Sequence, residues 1–67
     1  MKLSYYAETD QLYIDLSDRK SVESEEVAPG FVLDLDSEGS VVGIDIEHAS
    51  KMLNLTTFEA NSLPIPA

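Results

Sequence analysis

Cysteine is absent from this 67-residue chain. The chain therefore has no disulfide framework and no thiolate group for metal binding or nucleophilic catalysis. The absence also fits a reducing compartment. A single domain of this size has barely enough hydrophobic core to be stable alone, and such domains usually add disulfides, a metal or a partner subunit. We therefore expect oligomerisation, with a homodimer as the simplest form.

Long hydrophobic runs are also absent. No apolar stretch approaches the roughly 20 residues that a membrane-spanning helix requires. The first residues, Met1-Lys2-Leu3, do not begin a secretory signal peptide. There is no internal repeat, linker or low-complexity segment. We expect a cytoplasmic protein that has no membrane partner.

Basic residues are few. Four Lys and Arg residues face thirteen Asp and Glu residues, which gives a net charge of −9 at pH 7. A negative field of this size repels nucleic acid and anionic lipid and attracts basic surfaces. The composition argues against a nucleic-acid partner and favours a basic protein partner. The alternative is that the excess of acid only confers solubility.

Apolar and polar residues alternate along three segments, as they do in half-buried β-strands. The segments are residues 12–16, 31–35 and 42–46, and a shorter one, residues 3–5, predicts a first strand. Turn-forming residues separate these segments, and strands joined through short loops pair antiparallel. The pattern predicts an antiparallel meander.

Residues 21–27 break the alternation. Val22 and Val27 have opposite parity, and Glu23, Glu25 and Glu26 lie between them. Charge on an irregular strand is typical of a sheet edge, because it discourages pairing with other chains. We expect this strand at or near an edge, with a bulge.

The next hairpin has a phase problem. A three-residue loop ending at Gly39 would place Leu33 opposite Gly43, whereas the apolar pattern requires Val42 or Ile44 there. Either a bulge at Gly43 or a four-residue loop would restore the phase.

The period changes after the last strand. Ala49, Met52 and Leu53 share one helical face, which predicts a short helix after Glu47 or His48. Thr56 and Glu59 have the spacing of a capping box, so residues 57–62 could form another helical turn. The proline residues Pro64 and Pro66 end regular structure.

The predicted fold class is therefore α+β, mainly β: an antiparallel meander of four to five strands followed by a short C-terminal helix. Residues 1–55 are predicted to form a single β-rich domain, and residues 56–67 a C-terminal extension with one helical turn and a proline-containing tail.

The order of motifs is similar to that of a known family. The motifs are Tyr5, Glu8-x-Asp10-x-Leu12-Tyr13-Ile14, Glu25-Glu26-Val27-Ala28-Pro29-Gly30, Asp34-x-Asp36-x-x-Gly39-x-Val41-Val42-Gly43-Ile44-Asp45-Ile46 and Ala49-Ser50. Over residues 2–53 they resemble the domain of unknown function 2283 family, the YuzE-like small bacterial proteins. The chain departs from it at Tyr6, where members often have aspartate, and at Ala7, where proline is common.

This resemblance implies a compact β-rich fold with a C-terminal helix and no established activity. Some members of the family look like partners of small toxins in two-gene modules, which would imply an antitoxin-like role. The resemblance brings no functional residues with it.

One acidic stretch nearly matches a calcium-binding loop, D-x-[DN]-x-[DN]-G-x5-E. The last ligand position holds aspartate in place of the longer glutamate, and the flanks alternate as strands do. On a hairpin the oxygens need not converge, so we predict no metal site; the weak candidates are Asp34, Asp36, Glu38 and Asp45.

Catalysis has little support in the sequence. His48 is the only histidine, and it falls at a strand-to-helix junction where it would cap the helix or simply meet solvent. The serines lack an elbow motif, and there is no phosphate-binding glycine loop and no cofactor fingerprint. Paired carboxylates such as Asp34 with Asp45 would need a cleft that separates their pKa values. We predict no catalytic residues and no cofactor.

Tyrosine and valine residues suggest an interface. If Leu3 and Tyr5 face the core, other apolar residues share the second face of the sheet, a composition common at interfaces. These interface candidates are Tyr6, Tyr13, Val32 and Val41. The alternative is that Tyr13 only covers a neighbouring strand and stays half exposed, as single surface aromatic residues often do.

Two hypotheses follow. The first is a small acidic, non-catalytic protein-interaction module that self-associates or binds a basic protein. The alternative is a small metal-dependent or acid/base enzyme that uses surface carboxylates near Asp34, Asp45 and His48. We expect the first. Most acids are then outward as the wet positions of alternating strands, namely Asp34, Asp36, Asp45 and Glu47.

Overall fold

A computed structural model describes residues 1–64, which form five β-strands and one short α-helix. The strands and the helix are Lys2–Tyr6 (β1), Gln11–Asp15 (β2), Glu23–Ala28 (β3), Phe31–Leu35 (β4), Val41–Ile46 (β5) and Ala49–Met52 (α1). Residues 65–67, including Pro66 of the predicted tail, lie outside the described residues.

The five strands form one antiparallel sheet in the order β1-β2-β5-β4-β3. The predicted class, an antiparallel and mainly β fold with a short C-terminal helix, is confirmed. The strand order differs from a simple meander at one point, because β2 pairs with β5 and not with β3. Residues 16–22 cross the end of the sheet to reach its far edge, and Val22 N–H is bonded to the carbonyl of Leu35 there.

The alternating apolar residues converge on one face of the sheet, the core face. Its buried centre consists of Leu12, Ile46 and Ala49. Half-buried side chains pack around this centre: Ile14, Phe31, Ile44 and Leu53. The period-two pattern therefore predicted most of the inward residues correctly, but Leu16 lies beyond the end of β2 and is 38% exposed. The helix α1 contributes Ala49 because the chain turns back over the sheet after β5.

The C-terminal helix is short. It ends at Met52, and Leu53 has an extended backbone, with φ −130° and ψ 155°. The predicted helical turn at residues 57–62 is wrong, because these residues form neither helix nor strand. The local hydrogen bonds favour a turn: Asn54 Oδ1 accepts from both the N–H and the hydroxyl of Thr56, which offers the backbone an alternative to a helical start.

Two irregularities set the register of the sheet. The predicted edge position of β3 is confirmed, and so is its bulge, which lies between Glu26 and Ala28. In the β4–β5 pair, Leu33 is opposite Ile44, and the register then shifts so that Leu35 is opposite Val41. The extra residue is Val42, next to Gly43. The bulge alternative is therefore the one that restores the apolar phase.

Among the described residues, no helix has the length and apolar character needed to cross a membrane.

Candidate functional site

The sheet face opposite the core carries a network of polar side chains, which we call the polar face. Tyr13 lies over Gly43 of the neighbouring strand, where a Cβ atom would stand 2.0 Å from the tyrosine hydroxyl oxygen. This hydroxyl donates to Asp34 Oδ2 at 2.6 Å, and Ser24 Oγ donates to Asp34 Oδ1 at 2.7 Å. The network therefore joins β2 to β4 across β5 and continues to β3.

The electrostatics of this face keep the tyrosine protonated. The hydrogen bond to Asp34 stabilises the neutral phenol and, with burial, raises the pKa of Tyr13 from 10.0 to about 12. The carboxylates of Asp34, Asp15 and Asp45 act in the same direction. A phenol with so high a pKa is not a general base at neutral pH. Its role here is to hold neighbouring strands together.

Asp36 organises the turn between β4 and β5. Its Oδ1 accepts the backbone N–H groups of Glu38 and Ser40, both at 2.9 Å, and its Oδ2 lies 3.1 Å from Nε of Arg19. The hydrogen bond from the Ser40 backbone N–H lowers the pKa of Asp36 below 3.8, and the bond from Glu38 N–H and the positive charge of Arg19 act in the same direction. The residue is only 8% exposed. The expectation that Asp36 is a wet strand position is therefore wrong: β4 ends at Leu35, and Asp36 turns inward to satisfy a turn.

A second carboxylate holds the helix. Asp10, in the turn after β1, has a left-handed backbone with φ 53°. Its carbonyl accepts Ala49 N–H at 2.8 Å, and its carboxylate accepts the backbone N–H and the hydroxyl of Ser50 at 3.0 and 2.7 Å. Tyr5 OH donates to the same carboxylate at 2.7 Å. The hydrogen bond from the Ser50 hydroxyl has the largest effect and lowers the pKa of Asp10, and the hydrogen bond from Tyr5 lowers it further.

Asp10 thus caps α1 from forty residues away, whereas His48, the N-cap residue of α1, makes no side-chain capping bond. Sequence reasoning missed this contact. The only signal for it was that Asp10 and Ser50 both belong to the motifs that resemble a family.

The carboxylates considered for calcium have separate partners. Asp34 and Asp45 belong to the polar face, where Asp34 is bonded to Tyr13 and Asp45 to Gln11. Asp36 faces Arg19, and Glu38 is exposed. Among residues 1–64, no group of three or more His, Asp or Glu side chains is arranged to hold a metal ion.

The predicted interface residues divide between the two faces. Tyr6, Tyr13 and Val32 belong to the polar face, because Tyr6 pairs with Gln11, and both Tyr13 and Val32 pair with Asp45. Val41 pairs with Leu35, which alternates in phase with Phe31 and Leu33 of the core face. The bulge at Val42 causes this change of side. An interface at these four residues remains a prediction.

Two other surfaces stand out. The first is the β3 edge, Glu23–Ala28, in which all six residues are exposed. The second is an apolar groove on the core face, between the β1–β2 hairpin and the C-terminal segment. Sequence reasoning found the first surface from broken parity and missed the second.

Comparison with known proteins identifies a family but no activity. A family model described as "Protein of unknown function (DUF2283)" matches residues 2–50. No curated protein and no solved structure matches the chain significantly. The matched region contains all five strands, Asp10, Ser50 and the polar face, and it is most of the chain. The chain therefore belongs to the DUF2283 family of proteins of unknown function.

Proposed function

We propose that this protein is a non-catalytic interaction module that binds a basic protein partner along the β3 edge. The observation that carries the proposal is the edge itself. β3 pairs with β4 on one side only, and its residues are exposed along their whole length. Backbone N–H and C=O groups on the outer side of an edge strand can pair with an added strand.

The charges on this edge favour one kind of strand. Glu23 and Glu25 pair with core-face residues of β4, whereas Glu26 pairs with Val32 of the polar face. Carboxylates therefore flank the edge on both faces. A strand that presents Lys or Arg on both of its faces would be matched, a neutral strand would leave the carboxylates unpaired, and an acidic strand would be repelled. The net charge of −9 would also speed the encounter with a basic protein.

Other carboxylates form hydrogen bonds that stabilise the fold, and this supports the non-catalytic part of the proposal. Asp10 caps α1, Asp34 joins three strands, and Asp36 organises a turn. Each of these oxygens is already engaged within the fold, and a carboxylate with a lowered pKa, such as Asp10 or Asp36, is a poor general acid at neutral pH. An antitoxin that holds a small basic toxin would be one instance of such a module.

The test compares two triple variants of equal charge. In the edge variant, Glu23, Glu25 and Glu26 become glutamine. In the control variant, Glu8→Gln, Asp18→Asn and Glu38→Gln remove three exposed carboxylates from turns and loops. Both variants have a net charge of −6 instead of −9, because three carboxylates become amides. Each protein is immobilised and exposed to extract of the source cells at low salt, and the basic proteins that bind are quantified.

We expect the wild type and the control variant to retain the same basic protein to the same extent, and the edge variant to retain less of it. Exposed ion pairs contribute about 0.5 kcal/mol each, so three lost pairs weaken binding roughly tenfold. The complex should also weaken between about 0.1 and 1 M salt, as the screening length falls from about 10 to about 3 Å. Equal loss in both triple variants would contradict binding at the edge.

A further inference from the structure

We infer that a second copy of this chain covers the apolar groove on the core face. The groove has a volume of about 570 Å³ and lies between the β1–β2 hairpin and the C-terminal segment. Its lining includes Leu3, Tyr5, Leu12 and Ile14 from the hairpin and Phe58 from the C-terminal segment. None of the residues that line it is charged. This inference concerns a different surface from the β3 edge and does not depend on the basic partner.

The groove exists because α1 is too short to cover the sheet. A helix of four residues is about 6 Å long, whereas the core face spans five strands about 4.8 Å apart. Leu3 and Tyr5 are therefore about half exposed, at 45% and 48%. Phe58, one of the two phenylalanines in the chain, is 75% exposed.

The exposed area fits a second copy. The chain exposes 5255 Å², whereas a folded monomer of 7.4 kDa exposes about 4,200 Å². The excess, about 1,000 Å², is close to the roughly 800 Å² that each partner buries in a stable complex of standard size. Exposed apolar residues lie both on the open sheet face, at Leu3 and Tyr5, and in the C-terminal segment, at Leu55 and Phe58. In the described chain no large side chain is completely buried, as expected when a core is shared between subunits.

The topology also favours this arrangement. The groove lies beside β1, and β1 and β3 are opposite edges of the sheet. A two-fold pair formed through the grooves would leave both β3 edges open. The uncharged lining keeps carboxylates out of the contact, even though each copy carries a net charge of −9. A two-fold contact uses the same patch twice, so Phe58 of each copy would be buried against the other.

The opposite signs of salt dependence separate the two proposals. Salt screens the repulsion between two copies with the same charge, so the dimer should become tighter as salt increases. A complex with a basic protein should become weaker. Failure of one proposal therefore leaves the other intact.

The test is the molar mass of the purified full chain by sedimentation equilibrium, from micromolar to millimolar concentration and at two salt levels. We expect twice the chain mass of 7.4 kDa, with tighter association at higher salt. Leu3→Ser and Phe58→Ser should each weaken the dimer by at least about tenfold, because each removes a large apolar side chain from the contact. Both residues are exposed in one chain, so neither change should prevent folding.

Val27→Ser is the matched control. It removes an apolar side chain of similar exposure, 53%, from the β3 bulge and should leave the dimer unchanged. Isotope-filtered NMR on a mixture of labelled and unlabelled chains should show contacts between the Phe58 ring of one copy and the Ile14 or Leu3 methyl groups of the other. A single-chain mass at millimolar concentration would overturn the inference. So would Phe58 contacts confined to its own chain, or equal weakening by Val27→Ser.

Discussion

Replacement of Gly43 with alanine should destabilise the protein only while Tyr13 is present. A Cβ atom at residue 43 would stand 2.0 Å from the hydroxyl oxygen of Tyr13 and 2.6 Å from Cζ. Atoms cannot approach so closely, and the movable partner is the end of the tyrosine side chain. The ring must therefore swing away from β5, and its 2.6 Å hydrogen bond to Asp34 breaks.

The magnitude follows from opposing contributions. Alanine in the interior of a strand is favoured over glycine by about 0.5–1 kcal/mol. Loss of a hydrogen bond to a carboxylate at this half-buried site costs about 1.5 kcal/mol, the low end of the range for charged groups. Loss of ring packing over the sheet adds about 1 kcal/mol. We therefore expect Gly43→Ala to lower the free energy of unfolding by about 1.5 kcal/mol and Tm by roughly 6–12 °C.

The assay is a double-mutant cycle with Tyr13→Ser, measured by urea unfolding at constant protein concentration. When the ring is absent, the clash is absent, and Gly43→Ala should become stabilising by about 0.5 kcal/mol. The sign of the effect therefore reverses between the two backgrounds. An equal cost of Gly43→Ala in both backgrounds would refute the argument that Gly43 makes room for Tyr13.

The remaining predictions concern ionisable groups and the helix. The pKa of Asp36 is lowered, so this carboxylate stabilises the fold above its ordinary value of 3.8, and the contribution is lost as pH falls through the folded value. The Tm advantage of the wild type over Asp36→Asn should therefore be constant above about pH 5 and shrink in acid. The pKa of Tyr13 is raised to about 12, so its contribution is complete below pH 10 and is lost as pH rises through 12. Ultraviolet titration should show the Tyr13 phenol ionising about two pH units late, and Tyr13→Phe should remove that step. The pKa of Tyr5 is also raised, by its hydrogen bond to Asp10, and this step should remain in Tyr13→Phe. Ser50→Ala removes the hydroxyl that donates to Asp10, so amide hydrogen exchange in α1 should accelerate while exchange in β5 is unchanged; equal acceleration in both elements would contradict the capping role.

Strand positions could be predicted because burial on one face forces a period of two. The apolar residues of β2, β4 and β5 specify both the strands and their inward side. The edge strand could also be predicted, since Glu23, Glu25 and Glu26 cannot form a buried face and Val27 has the wrong parity. The bulge there follows from the same residues.

Strand order could not be predicted from these patterns. Short loops suggest neighbouring strands, but residues 16–22 cross the sheet end and pair with the carbonyls of Val42 and Leu35. Such pairing depends on backbone groups, which have no signature in the sequence. Alternation also failed at Asp36, because a strand pattern does not show where a strand ends and a turn begins.

The candidate surfaces were predictable to different degrees. The acidic edge follows from composition, because charge and exposure coincide there. The apolar groove follows from the length of α1, and local pattern predicted more helix than forms because Asn54 engages Thr56. The polar face uses Tyr13 within the fold, through a contact between residues 21 positions apart. Contacts of this kind need the register before they can be inferred.

The most direct test of the central claim is amide hydrogen exchange of the protein with and without the basic protein that it retains from source-cell extract. An added strand would bond the outward N–H groups of β3. The account predicts slower exchange within Glu23–Ala28, and little change in β1, at the opposite edge of the sheet. Protection of the polar face or of β1, with β3 exchange unchanged, would contradict it.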